Sequence, residues 1–175
     1  TVDYGGFPCD YDEINRIIKN NKKFAPSKNI YQQKLNKILL IDDAAHSFGS
    51  FYNANRVGNG NDSDFTVFSF HAVKNLTTAE GGAITFNGLK DLSANEIYNH
   101  LMLLSLHGQN KDALSKSLAG KWRYDIELPG YKYNMTDIQA SLGLAQLSRY
   151  DSEIIPKREQ LFETYFKKLD NDKVT

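Results

Sequence analysis

Ile38-Leu39-Leu40-Ile41-Asp42-Asp43-Ala44-Ala45-His46 is the stretch on which the fold turns. Leucine and β-branched residues in unbroken succession, opening at Lys37, read as a short strand that is apolar on both faces. Strands of that kind belong to parallel sheets with helices on each side. The run ends in two consecutive acids, two alanines and a histidine. Open α/β sheets hold their ligands beyond the carboxyl ends of the strands, so this exit is a candidate site. Helix capping accounts for one aspartate. It accounts for neither the second acid nor the small residues and His46.

Working outward, Phe65-Thr66-Val67-Phe68-Ser69-Phe70 is a second strand, and its exit is Ser69-Phe70-His71-Ala72-Val73-Lys74-Asn75. Thr77-Thr78-Ala79-Glu80-Gly81-Gly82 closes that turn, and Ala83 to Phe86 reads as a third strand ending at Asn87-Gly88. Thr1 to Tyr4 resembles the tail of a strand. Asp10 caps a first helix, with Glu13 three residues on and Ile14, Ile17 and Ile18 on one face. Asn20 to Gln33 is polar, carries Pro26, and reads as a surface loop. Asn53 to Asp64 is dense in turn formers. A helix is expected from Leu92 to Leu106, then irregular chain from Gln109 to Tyr133. Two helices follow, one capped by Thr136 and one carrying an apolar stripe from Ile154 to Leu169. Helix alternating with buried strand predicts an α/β fold with a mainly parallel sheet flanked by helices.

Of the 175 residues, 41% are hydrophobic and 24% charged, enough to bury a core and too apolar for a disordered chain. The 21 basic side chains match the 21 acidic ones, so nothing electrostatic points to nucleic acid or an acidic lipid surface. Cys9 is the single cysteine and can make no internal disulfide. The longest apolar runs fall far short of the roughly 20 residues of a spanning helix. No basic flank followed by an apolar stretch marks a signal peptide. A soluble, cytoplasmic protein with no membrane partner is the expectation.

The two exits together suggest one site. Pyridoxal phosphate (PLP) needs a lysine for its aldehyde, a carboxylate against its ring nitrogen and donors for its phosphate. Asp43, Lys74 and Ser69 are residues of the right kind. Neither Gly-x-x-x-x-Gly-Lys nor Gly-x-Gly-x-x-Gly occurs, which removes support for nucleoside triphosphates and dinucleotides. A hydrolytic triad of Ser69, His46 or His71, and Asp43 lacks the Gly-x-Ser-x-Gly elbow, and Ser69 lies between two phenylalanines.

Asp42 to His46, Phe68 to Asn75, Glu80-Gly81-Gly82 and Gly130-Tyr131-Lys132-Tyr133-Asn134-Met135-Thr136-Asp137-Ile138-Gln139-Ala140 resemble motifs of the DegT/DnrJ/EryC1/StrS family. The resemblance covers nearly the whole chain, in the family's order. It implies part of the large domain of the aspartate-aminotransferase fold, the type I fold of PLP-dependent transferases. Residues 1–150 are expected to be part of that domain. Residues 151–175 are expected to be a helix leading into a small C-terminal domain that lies beyond them. The resemblance further implies Lys74 as the Schiff-base lysine, Asp43 on the pyridine nitrogen, Ala45 against the ring, His46 near its phenolic oxygen and Ser69 on the phosphate. Lysine at position 74 favours transamination over the family's sugar dehydratases. The motif residues look most like enzymes that aminate C4 of nucleotide-linked 4-keto-6-deoxysugars with glutamate as donor, in polysaccharide precursor biosynthesis. A homodimer is implied for the full-length protein. The alternatives are a related enzyme acting on a cyclitol or other keto-compound, and a non-catalytic protein that keeps the fold.

Two positions depart from the family pattern. Lys132 stands where many members have an asparagine that reaches a neighbouring subunit's phosphate, and Asn134 stands for an arginine. Both ends of the chain read as cut, and members of the family are longer. The fragment is therefore expected to bind PLP weakly or not at all, and to be inactive by itself.

Overall fold

The computed structural model describes residues 1–26, 28–110 and 123–169. Strands β1 (Ile41–Asp43), β4 (Phe65–Ser69) and β5 (Gly82–Phe86) form a sheet in the order β1-β4-β5, while β2 (Phe51–Tyr52) and β3 (Asn55–Arg56) make a separate hairpin. β1 runs parallel to β4, with Asp43 opposite Val67. On the outer edge of β1, Val2 bridges to Asp43 in parallel, so Thr1 to Asp3 extends the sheet as a strand tail should. β5 is antiparallel to β4. The segment between them folds back on itself, with Phe70 N donating to Gly81 O at 2.7 Å, so β5 returns beside β4 with no crossover helix to reverse its direction. The sheet is therefore mixed rather than mainly parallel as the sequence suggested: parallel from Val2 through β1 to β4, and antiparallel from β4 to β5.

Two elements differ from the sequence reading. The strand expected from Lys37 enters the ladder only at Ile41. Before that point the Asp64 carboxylate accepts from Leu40 N at 2.9 Å and pairs with Lys37, so a side chain holds the chain where a neighbouring strand would have. Exposure along β1 then alternates, with Ile41 and Asp43 exposed and Asp42 buried, in place of burial on both faces. The polar stretch read as a loop contains helix α2 (Ile30–Leu35). Asn29 caps its start and Asn36, in the left-handed region at φ 47°, ends it. Leu35 anchors it in a cluster with Leu89 and Ile97.

The other helices follow the pattern. Asp10 caps α1 (Tyr11–Asn20), and capping boxes start α3 (Ala94–Ser105) at Ser93 and Glu96, and α4 (Asp137–Leu147) at Thr136 and Gln139. A single π-turn, Tyr150–Ile154, leads into α5 (Ile155–Lys168). Residues 111–122, within the stretch expected to be irregular, lie outside the described residues. No helix among the described residues is long and apolar enough to cross a membrane.

One face of the sheet rests on Phe68, Ala44 and Val57, with Phe48, Tyr52 and Phe70 around them. On that side Asp42, 0% exposed, and Asp3, 1% exposed, both lie 2.7 Å from the Tyr11 hydroxyl. A phenol has one proton to give. The second contact is a hydrogen bond only when a carboxyl oxygen carries a proton too. Burial pushes the Asp42 carboxyl above the usual aspartate range; the Tyr11 hydrogen bond opposes that shift and the Asp3 charge adds to it. An acid whose pKa is higher folded than unfolded favours the folded state most below its unfolded value, about 3.9. That contribution is lost as the pH rises through the folded value. Asp42→Asn should therefore gain stability relative to the parent between pH 4 and pH 7, read as the difference in melting temperature. A difference that stays constant over that range would contradict the assignment.

Candidate active site

Asp43 closes β1 and Ser69 closes β4, at the carboxyl ends of two parallel neighbours. Side chains alternate across a strand, so the pairing of Asp43 with Val67 puts Asp43, Val67 and Ser69 on one face. Together with Ala45 and Phe68 they line a cleft of about 410 Å³. Asp43 Oδ1 accepts from Ala45 N at 3.1 Å, which fixes the carboxylate over the start of the 44–50 loop. Its Oδ2 has no hydrogen bond among the described residues. The Ser69 hydroxyl accepts from His71 N at 3.3 Å, leaving its own hydrogen free to donate.

The chain winds tightly from Ser69 to Lys74, with Lys74 N donating to His71 O at 2.9 Å. Lys74 is half-buried, and its amine makes no hydrogen bond or ion pair among the described residues. It lines a second concavity of about 300 Å³ with Gly5, Gly6, His46, Ser50, Val73 and Asn75. Asp43, Ala45 and Ser69 thus share one opening, and His46 and Lys74 share the other. Adjacent residues of one loop, Ala45 and His46, line the two openings. Three residues that sequence reasoning gave no role also stand here: Gly6, Ser50 and Asn75. Gly6 has φ 86°, and a Cβ on it would come within 2.8 Å of His46 O, so only glycine lets the first loop close on the second.

The triad reading finds no geometry. Ser69 is bound by the backbone of His71, and the His71 imidazole lies 3.7 Å from the Glu80 carboxylate. In the later motif Lys132 donates to Asn134, and Tyr131 and Tyr133 stack with centroids 5.0 Å apart.

Residues 1–174 match the DegT/DnrJ/EryC1/StrS aminotransferase family. The chain belongs to this family. The putative sugar aminotransferase Spr1654 of Streptococcus pneumoniae, in its PMP-form, is 44% identical and superposes with a TM-score of 0.82 over 94% of this chain and 40% of that one. Spore coat polysaccharide biosynthesis protein SpsC of Bacillus subtilis is 36% identical over 96% of this chain and 38% of its own length. An uncharacterized protein of Methanocaldococcus jannaschii is 38% identical over 97% of this chain and 38% of its own. The chain spans about two fifths of the length of these relatives. DegT/DnrJ/EryC1/StrS aminotransferases use PLP and have the type I fold. The donor set here fits that group: a carboxylate with one free oxygen, a hydroxyl with a free hydrogen, and an unpartnered, half-buried amine.

Proposed function

We propose that the full-length protein transfers an amino group from glutamate to C4 of a nucleotide-linked keto-deoxysugar, in the making of polysaccharide or glycan precursors. The observation that carries this reading is the convergence of Asp43 and Ser69 on one sheet face, with the unpartnered Lys74 one turn later. The names of SpsC and Spr1654 support a sugar substrate. In this reading residues 1–150 are part of the cofactor-holding domain, the helix after 151 leads towards a second domain, and two copies pair.

PLP supplies an electron-poor ring that accepts the electron pair left when the substrate carbon loses its proton. Asp43, whose Oδ2 is free among the described residues, would hold a proton on the pyridine nitrogen, and its negative charge would keep the ring electron-poor. The Ser69 hydroxyl, with its own hydrogen free, would donate to a phosphate oxygen. Ala45 offers a methyl group small enough to leave room for the ring, and His46 lies within the same loop to approach its phenolic oxygen. Lys74 would be the residue that holds the cofactor at its aldehyde end. The Lys74 amine would also be the movable base of the site: it would take the proton from the amino-acid Cα and hold it for return. In the second half-reaction the protons move the opposite way, and the sugar carbon receives the hydrogen.

A panel of nucleotide-linked ketosugars tests this with the full-length protein and glutamate. The expected products are 2-oxoglutarate and the 4-amino sugar in equal amounts, assigned by NMR. Amination of 3-ketosugars in preference would move the reaction to C3. Turnover of cyclitol ketones with none on any nucleotide sugar would overturn the substrate class.

A further inference from the structure

The loop that carries Ala45 and His46 and the turn that carries Lys74 belong to different strand exits, and one side chain ties them. Asn75 Nδ2 donates to His46 O at 2.8 Å and to Phe48 O at 3.3 Å. From behind, Arg158 on α5 donates to the carbonyl of Asn75 at 2.7 Å. The Tyr150 hydroxyl donates to Phe48 O at 2.9 Å, and the Phe48 ring packs edge-on against Phe68, Phe70 and Tyr150. Burial raises the Tyr150 pKa, so the phenol stays a donor. Gly6 stands against the other side of the His46 carbonyl.

Resting on the aminotransferase reading, we infer that Asn75 is a positioning residue for Lys74. Its amide sets the spacing between the lysine and the loop that begins at Asp43, and Arg158 extends that control to the last helix. An asparagine suits the task because one NH₂ group supplies two donors to two carbonyls that would otherwise repel each other. Lys74, the residue before it, has no hydrogen-bond or ion-pair partner among the described residues and depends on its neighbours for direction. The Asn75 amide bonds to His46 O and Phe48 O and not to the Lys74 amine, and Asn75 does not line the cleft that holds Asp43 and Ser69, so its influence is exerted through the backbone.

Asn75→Asp keeps the shape and turns the donors into a carboxylate facing two carbonyl oxygens. The experiment uses the full-length protein stripped of cofactor. PLP is added, and attachment at Lys74 is followed by borohydride reduction and peptide mass mapping. Non-covalent PLP affinity is measured separately with Lys74→Ala in the background. Asn75→Asp should slow attachment about tenfold or more, the scale expected of a small misplacement of reacting groups. Non-covalent affinity should change less than about twofold, because Asp43, Ala45 and Ser69 keep their places; a purely structural role would lower both. Arg158→Ala, at an exposed position, should slow attachment about threefold, with Arg158→Lys restoring part of the rate. This pair decides the matter if the Asn75 variant does not fold. Unchanged attachment rates, or an equal fall in non-covalent affinity, would overturn the assignment. An unsubstituted protein that attaches no PLP at Lys74 would overturn the aminotransferase reading, and this assignment with it.

Discussion

Lys74→Ala in the full-length protein should bind PLP without a covalent link and lose transfer from both substrates. The loss has two parts. The attachment point goes, so cofactor dissociates on dilution; and the movable base goes, which alone is worth about 10²–10⁴-fold. The second part can be separated from the first. Single-turnover measurements at saturating PLP remove the contribution of cofactor loss, and methylamine supplied from solution should return a portion of the proton-transfer rate. Lys74→Arg should not recover, since a guanidinium keeps its proton at any working pH and cannot act as a base. Transfer by Lys74→Ala at more than a tenth of the parent rate would mean that another group moves the proton.

Asp43→Asn is the second large effect. The amide keeps the acceptor oxygen for Ala45 N, so the loop should hold its shape. What disappears is the charge on the free oxygen, which in the proposed reading meets the pyridine nitrogen. Loss of one fixed electrostatic group directed at developing charge lowers turnover about 10²–10³-fold. PLP should still attach to Lys74, because the aldehyde chemistry does not depend on the ring nitrogen being charged. Reconstitution with a cofactor methylated at that nitrogen carries the positive charge permanently. That cofactor should recover more of the activity in Asp43→Asn than it does in Ser69→Ala. Equal attachment with unaltered turnover in Asp43→Asn would remove Asp43 from the chemistry.

Much of this fold was legible because its signals are local. The Asp10 and Thr136 capping positions and the Phe65-to-Ser69 strand each declare themselves within a few residues. What was missed depends on partners remote in the chain. The strand expected from Lys37 begins late because Asp64, far along the sequence, occupies the backbone of Leu40. Helix α2 is too short to show an apolar period and is set by an asparagine at each end. β5 reverses because the preceding turn closes on itself, which composition does not reveal.

The site divides the same way. Asp43, Ser69 and Lys74 were nominated from the sequence because strand exits are where α/β sheets put chemistry. Asp42 and Asp43 look alike in local sequence; the family resemblance singles out Asp43, and the alternation of the strand turns the two apart. Asp42 turns inward to Tyr11, while Asp43 opens on the cleft. Asn75 looked like part of a motif without a role, since its partners, His46, Phe48 and Arg158, come from a loop and a helix that the sequence alone does not bring together. An asparagine beside an unpartnered lysine was the one signal available.

The most direct measurement is to reduce the PLP-loaded, full-length protein with borohydride, digest it and locate the pyridoxyl mass. A single modified peptide, with the label on Lys74, is the predicted result. A label on any other lysine, or none after loading at saturating PLP, would contradict the site described here.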